Sequence, residues 1–209
     1  MVKSQRGLLI VFEGIDGTGK STQINLLERF LKEKRFQVTT TREPTEGRFG
    51  QRIRELYQNR QAVTLEKELE LFLSDRREHV ESLITPSLEN GRIVLCDRYF
   101  LSTAAYQGAA GLDPLKIIEQ NRFAPDPDLA FILEIDVEES IKRITINRGD
   151  RLNDFEQLES LKKVDKIFKD LNFAYIRRVD GSQAIDVVSR RVINHTARLL
   201  DDRYGTNTE

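Results

Sequence analysis

Residues 14–21 read Gly-Ile-Asp-Gly-Thr-Gly-Lys-Ser, and this stretch decides the fold. It matches the pattern G-x-x-x-x-G-K-[S/T] in full. An apolar run, Leu8–Glu13, precedes it, and apolar residues at helical spacing follow it. A strand, a glycine-rich loop and a helix in that order form a phosphate cradle, because backbone N–H groups converge on the anion and the helix N-terminus adds positive partial charge. The stretch therefore predicts a P-loop.

The loop also predicts which atoms bind a nucleotide. We expect Lys20 to reach the β- and γ-phosphates of ATP and the Ser21 hydroxyl to bind Mg²⁺. A glycine-rich turn without a ligand is the alternative, but it does not explain the adjacent lysine and serine. The expected ATP-binding residues of the loop are Gly14, Ile15, Asp16, Gly17, Thr18, Gly19, Lys20, Ser21 and Thr22.

Short apolar runs alternate with helical patterns along the whole chain. Most of these runs are continuous rather than alternating, which is typical of parallel strands covered on both faces. We therefore predict one α/β domain over residues 1–209, in which helices flank a five-stranded parallel sheet in three layers. The predicted strands are Leu8–Glu13, Gln37–Thr41, Ile93–Asp97, Leu129–Asp136 and Tyr175–Asp180.

Composition excludes several classes of protein. The chain has 209 residues with 33 Lys and Arg against 34 Asp and Glu, so it carries no overall basic field for nucleic acid. No apolar stretch approaches the roughly 20 residues of a membrane span. Cys96 is the one cysteine, so no internal disulfide forms. We expect a cytoplasmic protein that binds neither nucleic acid nor membranes.

Three further segments predict a second ligand. Residues 41–45 read Thr-Arg-Glu-Pro-Thr, residues 72–76 read Phe-Leu-Ser-Asp-Arg, and residues 97–107 read Asp-Arg-Tyr-Phe-Leu-Ser-Thr-Ala-Ala-Tyr-Gln. The first and third follow predicted strands, where doubly wound sheets bind ligands. Phe72 and Arg76 are four residues apart on one helix face, an arrangement that suits a planar base.

With the P-loop, these segments resemble those of thymidylate kinases in the same order along most of the chain. The resemblance implies a homodimer that phosphorylates dTMP to dTDP with ATP and Mg²⁺ in dTTP synthesis. It implies that Phe72 stacks on thymine, Arg76 bonds an exocyclic oxygen, and Asp97 helps to organise Mg²⁺ beside Ser21. The implied substrate-binding residues are Asp16 at the sugar 3′-hydroxyl, Tyr106 beneath the sugar, Arg42 and Arg98 at the phosphate, Thr103 near the base edge, and Ser102 and Gln107 nearby.

The resemblance also implies a short basic lid at about residues 142–154. Arg143 would stack on adenine, and residues 180–182 would form the loop on the adenine side. Either Arg148 or Arg151 would reach the transferred phosphoryl group, because the loop has Gly17 where some members have an arginine. The implied catalytic residues are Lys20, Arg98, Arg148 and Arg151.

Simpler alternatives remain open for single residues and for the whole chain. Arg42 could pair with Glu43 or Glu46 at the surface, and Phe72 could be a core residue. The chain could be another small-molecule kinase, for a deoxynucleoside or another nucleoside monophosphate. It could also be a non-catalytic nucleotide-binding module.

Overall fold

A computed structural model describes residues 6–57, 63–148 and 154–205. Its five strands form one parallel sheet, as predicted, in the order β2-β3-β1-β4-β5. The strands are β1 (Leu9–Glu13), β2 (Val38–Arg42), β3 (Ile93–Asp97), β4 (Leu129–Glu134) and β5 (Ile176–Asp180). Their bounds agree with the sequence to within two residues.

Helices connect the strands along the described part of the chain. Those around β1 to β3 are α1 (Lys20–Glu33), α2 (Arg48–Leu56), α3 (Leu65–His79), a π-helical turn (Val80–Ile84) and α4 (Thr85–Glu89). Those after β3 are α5 (Phe100–Ala109), α6 (Pro114–Gln120), α7 (Val137–Arg148), α8 (Asp154–Asp170) and α9 (Ile185–Tyr204). None of the helices in the described ranges is both long and apolar enough to span a membrane.

Two apolar clusters cover the two faces of the sheet. Alternate residues of β1 enter each cluster, with Leu9 and Val11 on one face and Ile10 and Phe12 on the other. Helices α1 and α9 cover the second face, while α5 and α8 pack on the first. Burial on both faces explains why β1 is fully apolar up to Glu13. The three-layer α/β prediction is confirmed.

Helices α2, α5 and α6 were not predicted from the sequence. Helix α2 follows the Thr-Arg-Glu-Pro segment, α5 carries most of the third segment, and α6 follows α5. A π-helical turn separates α3 from α4 within the long helical stretch between residues 65 and 89. Such turns insert one residue into a helix without breaking it, so apolar spacing alone does not reveal them.

The strand order places charged residues along one edge of the sheet. Each strand ends at its carboxyl end in a charged residue, and these residues are Glu13, Arg42, Asp97, Glu134 and Asp180. Strand β1 is central, with β3 on one side and β4 on the other. The glycine-rich loop after β1 is therefore next to the residues that follow β3, which is where doubly wound sheets bind ligands.

Candidate active site

The glycines of the P-loop adopt conformations that other residues rarely take. Gly14, Gly17 and Gly19 have φ angles of 123°, 76° and 91°. A Cβ atom on Gly14 would also lie 2.5 Å from the carbonyl oxygen of Leu133. Gly19 immediately precedes α1, so the loop delivers the chain directly to a helix N-terminus. This geometry leaves backbone N–H groups at the positive end of the helix for an anion.

The Lys20 side chain folds over the loop. It is buried, and its Nζ donates hydrogen bonds to the carbonyl oxygens of Gly14 at 3.1 Å and Ile15 at 2.8 Å. Burial lowers the pKa of Lys20 to about 7, and Arg98 lowers it further in the same direction. An anion bound in the loop would favour the charged ammonium, so Lys20 is placed to neutralise phosphate.

Ser21 and Asp97, the two predicted metal ligands, are in contact. The Ser21 Oγ donates a hydrogen bond of 2.8 Å to Oδ2 of Asp97. The other oxygen of Asp97, Oδ1, is buried and accepts no hydrogen bond in the described structure. A hydroxyl and a carboxylate are hard oxygen ligands, which Mg²⁺ prefers, and Mg²⁺ commonly completes its shell with phosphate and water oxygens. The pair therefore fits Mg²⁺.

Arg98 turns from the end of β3 into the mouth of the P-loop. Its Nη2 donates to Oδ1 of Asp16 at 2.7 Å, and its Nη1 donates to the carbonyl oxygen of Gly14 at 3.1 Å. Nη1 also donates to Ser102 Oγ at 3.1 Å, and the guanidinium lies 5.1 Å from the Tyr106 ring centre. The structure thus brings together Asp16, Arg98, Ser102 and Tyr106, four of the residues predicted to bind the acceptor.

Arg76 is held inside the protein by partners from three other segments. It is 1% exposed. Its Nε and Nη2 donate to Oε2 of Glu43 at 2.8 and 2.6 Å. Nη1 donates to Asn121 Oδ1 at 2.6 Å, and Nη2 also donates to Thr103 Oγ1 at 2.9 Å. Arg76 and Thr103, both predicted near the base, are therefore adjacent, and Glu43 and Asn121 fix the guanidinium.

Helix α3 also fixes the Thr-Arg-Glu-Pro segment. Asp75 accepts hydrogen bonds from the backbone N of Thr45 at 2.9 Å and from its Oγ1 at 2.6 Å. His79 contacts Glu43 Oε1 through Nδ1 at 3.0 Å. Burial raises the pKa of the Glu43 carboxyl, but Arg76 and His79 outweigh it and hold that pKa below its usual value. The segment is thus rigidly tied to the helix that carries Phe72.

The other residues predicted to bind the phosphoryl acceptor differ from one another in burial and contacts. Arg42 is exposed and pairs with Glu46, which is one of the surface alternatives considered for it. Phe72 is half-buried on α3, and Gln107 is buried on α5. Arg98 therefore contacts P-loop residues, whereas the contact observed for Arg42 is with Glu46.

Arg143 connects the P-loop to the turn after β5. Its Nη1 donates to the carbonyl oxygens of Gly17 at 3.5 Å and Gly181 at 3.2 Å, and its Nε donates to Glu139 at 3.0 Å. A Cβ on Gly181 would lie 3.0 Å from the carbonyl oxygen of Thr18, so this turn packs directly against the loop. The two elements predicted on the adenine side are in contact. The Arg148 side chain and Arg151 lie outside the described residues.

Four buried polar residues of this site were not predicted from the sequence. Glu43, Asp75 and Asn121 hold the base-side segments, and Glu13 accepts hydrogen bonds from Ser102 and from the Tyr99 backbone. Glu13 had a visible signal, since it is a carboxylate at the end of an otherwise apolar strand. Asn121 had no such signal in the sequence, because it lies in a polar stretch after α6, a helix that was not predicted.

Comparison with known proteins agrees with this geometry. The family model described as Thymidylate kinase matches residues 12–192. The chain belongs to the thymidylate kinase family. The match begins in β1, before the P-loop, and ends within α9, so it spans every segment discussed above.

Similar members of the thymidylate kinase family come from several organisms. The thymidylate kinase of Desulfotalea psychrophila is 55% identical over 194 residues, which are 93% of this chain and 96% of that protein. The thymidylate kinase of Akkermansia muciniphila is 44% identical over 206 residues, covering 96% and 97%. The probable thymidylate kinase of Thermococcus gammatolerans is 40% identical over 198 residues, covering 90% and 94%. The membership in the thymidylate kinase family that the motifs predicted is confirmed.

Proposed function

We propose that this chain transfers the γ-phosphoryl group of ATP to dTMP and forms dTDP. The membership of the chain in the thymidylate kinase family supports this reaction. The observation that carries it is the 2.7 Å contact between Arg98 Nη2 and Asp16 Oδ1 at the mouth of the P-loop. In this contact Arg98 is a hydrogen-bond donor for the phosphate of dTMP, and Asp16 is a hydrogen-bond acceptor for its sugar hydroxyl. Both residues lie beside the site for the ATP phosphates.

The reaction needs charge neutralisation and alignment rather than a general base. A phosphate monoester has a second pKa of about 6, so a dTMP oxygen is already a nucleophile near neutral pH. Lys20 neutralises the β- and γ-phosphates of ATP, and Arg98 binds the dTMP phosphate. Ser21 and Asp97 would hold Mg²⁺, which would supply further neutralisation of the triphosphate.

The base pocket lies between α3 and α5. Phe72 offers a half-buried ring for stacking on thymine, and Thr103 lies beside Arg76. Because Glu43 and Asn121 hold its guanidinium, Arg76 meets the base without reorganising, which favours discrimination. Tyr106 lies beside Arg98 under the sugar, and Ser102 and Gln107 complete this side of the site.

The lid and the assembly complete the proposal. Residues 142–154 would close over ATP, with Arg143 on adenine and either Arg148 or Arg151 on the transferred phosphoryl group. Closure would exclude water as a competing acceptor. We assign the chain one kinase domain and a cytoplasmic homodimer, in line with the family resemblance of its sequence.

A panel of acceptors tests the function. The purified chain is mixed with ATP and Mg²⁺ and with dTMP, dUMP, dCMP, dGMP or thymidine, and ADP release is measured. We expect dTMP to give the highest kcat/KM and thymidine to give no turnover. Preference for thymidine would establish a nucleoside kinase instead, and ATP binding without turnover of any acceptor would establish a non-catalytic module.

A further inference from the structure

We propose that Glu13 is a positioning residue that holds Arg98 in the acceptor-phosphate site through Ser102 and the backbone of Tyr99. This inference rests on the proposed function, because it takes Arg98 as a ligand of the dTMP phosphate. Glu13 itself would touch neither substrate. Its effect would reach the phosphate only through the groups to which it is hydrogen-bonded.

Glu13 stands at the centre of the site but beneath its surface. It is the last residue of the central strand β1 and is 0% exposed. Its Oε2 accepts a short hydrogen bond from Ser102 Oγ. The same Ser102 oxygen accepts a hydrogen bond of 3.1 Å from Arg98 Nη1. A continuous path therefore runs from the buried carboxylate through one hydroxyl to the guanidinium.

A second path runs through the backbone. Arg98 has a φ angle of 68°, a left-handed conformation that is uncommon for a residue with a side chain. The turn is held on both sides, since Arg98 N donates to the Phe12 carbonyl at 2.9 Å and Tyr99 N donates to Glu13 Oε1 at 3.0 Å. Conformations of this kind persist where surrounding contacts impose them, and they concentrate at functional sites. Glu13 supplies one of those contacts.

The chemistry of a carboxylate explains why this position is a glutamate. When Glu13 is ionised, both oxygens are used as acceptors, one for a backbone N–H and one for a hydroxyl. A glutamine of the same size has one acceptor oxygen and one amide nitrogen that cannot accept, so it must abandon one of the two donors. Loss of the Ser102 bond would free its hydroxyl to rotate away from Arg98.

The experiment measures binding of dTMP and of thymidine, which lacks the phosphate, by competition in the Glu13→Gln variant. We expect dTMP to bind about tenfold more weakly, because the misplaced Arg98 loses a charge-assisted hydrogen bond to phosphate. Thymidine and ATP should bind within about twofold of the wild type. Glu134→Gln is the matched control, because it alters another glutamate at the end of a strand, one that pairs with Arg178. It should change the affinity for neither dTMP nor thymidine.

Ser102→Ala provides an independent variant that interrupts the same path. We expect the same selective loss of dTMP affinity. The double variant Glu13→Gln, Ser102→Ala should lose less dTMP-binding free energy than the sum of the losses in the two single variants. If Glu13→Gln does not fold, normal dTMP affinity in Ser102→Ala overturns the proposal.

Other outcomes separate this inference from the proposed function. Equal weakening of dTMP and thymidine in Glu13→Gln, or no weakening of either, overturns the positioning role while leaving the kinase reaction intact. A wild-type chain that binds dTMP no more tightly than thymidine overturns both, because Arg98 then binds no phosphate.

Discussion

Ser21 Oγ donates a hydrogen bond of 2.8 Å to Asp97 Oδ2, although 76 positions separate the two residues. The contact exists because β1 and β3 are neighbours in the sheet, so the P-loop and the end of β3 meet at one edge. The remaining carboxylate oxygen of Asp97 is buried and without a partner in the described structure. Buried oxygens of this kind are costly unless a ligand satisfies them.

The Asp97→Asn variant tests the metal role of this pair. The amide keeps the size of the side chain but removes a negative charge that favours a divalent cation. We expect the Mg²⁺ concentration that gives half-maximal rate to rise by about tenfold, which corresponds to roughly 1.4 kcal/mol. The measurement is initial rate against Mg²⁺ at fixed ATP and dTMP. An unchanged Mg²⁺ dependence would contradict the assignment.

The Lys20→Ala variant tests the phosphate cradle. We expect kcat to fall by about 10²- to 10³-fold, since a preorganised charge on the transferred group is lost. The melting temperature should not fall, because burial lowers the pKa of Lys20 to about 7 and so its charge costs the empty fold free energy. The exposed Lys116→Ala is the matched control. Turnover near that of the wild type would remove Lys20 from the reaction.

Short-range patterns were sufficient to predict the frame of the molecule. The apolar runs at β1, β3 and β4 are continuous because both sheet faces are covered, and the P-loop sequence has few structural alternatives. Phe72 and Arg76 could be assigned to one helix face from spacing alone. Ligands bind at the carboxyl ends of parallel strands, so the predicted strands were sufficient to place Asp97 and Arg98 near the P-loop.

Long-range partner choice could not be predicted in the same way. Arg76 was expected to face the base, and spacing along the chain did not predict its protein partners Glu43, Asn121 and Thr103, which lie 33, 45 and 27 positions away. No local pattern specifies which carboxylate meets a buried guanidinium. Helix α5 was missed for a different reason: most of its residues are buried, so no polar face sets off an apolar stripe.

The two lid arginines should differ in effect. We expect either Arg148→Ala or Arg151→Ala to lower kcat by about 10³-fold or more, because an arginine on the transition state contributes roughly 10³–10⁵ in P-loop enzymes. The other variant should change kcat by less than about tenfold. Single-turnover rates with saturating ATP and dTMP measure this, and Arg143→Ala, expected to raise the KM for ATP, serves for comparison. Equal and small effects of both substitutions would contradict a lid arginine.

The Glu13→Gln variant should change how stability depends on pH. Burial raises the pKa of Glu13 from 4.5 to about 7, against the opposing effects of Ser102, Arg98 and Arg76. Between pH 4.5 and about 7 the folded chain keeps the Glu13 proton, whereas the unfolded chain releases it. The contribution of Glu13 to the unfolding free energy is therefore most favourable below pH 4.5 and is lost as the pH rises through about 7. Relative to Glu13→Gln, the wild type should lose about 2 kcal/mol of unfolding free energy between about pH 5.5 and 8. Urea unfolding of both proteins across that range measures the difference. A wild-type curve parallel to that of Glu13→Gln would show that the buried carboxyl keeps an ordinary pKa.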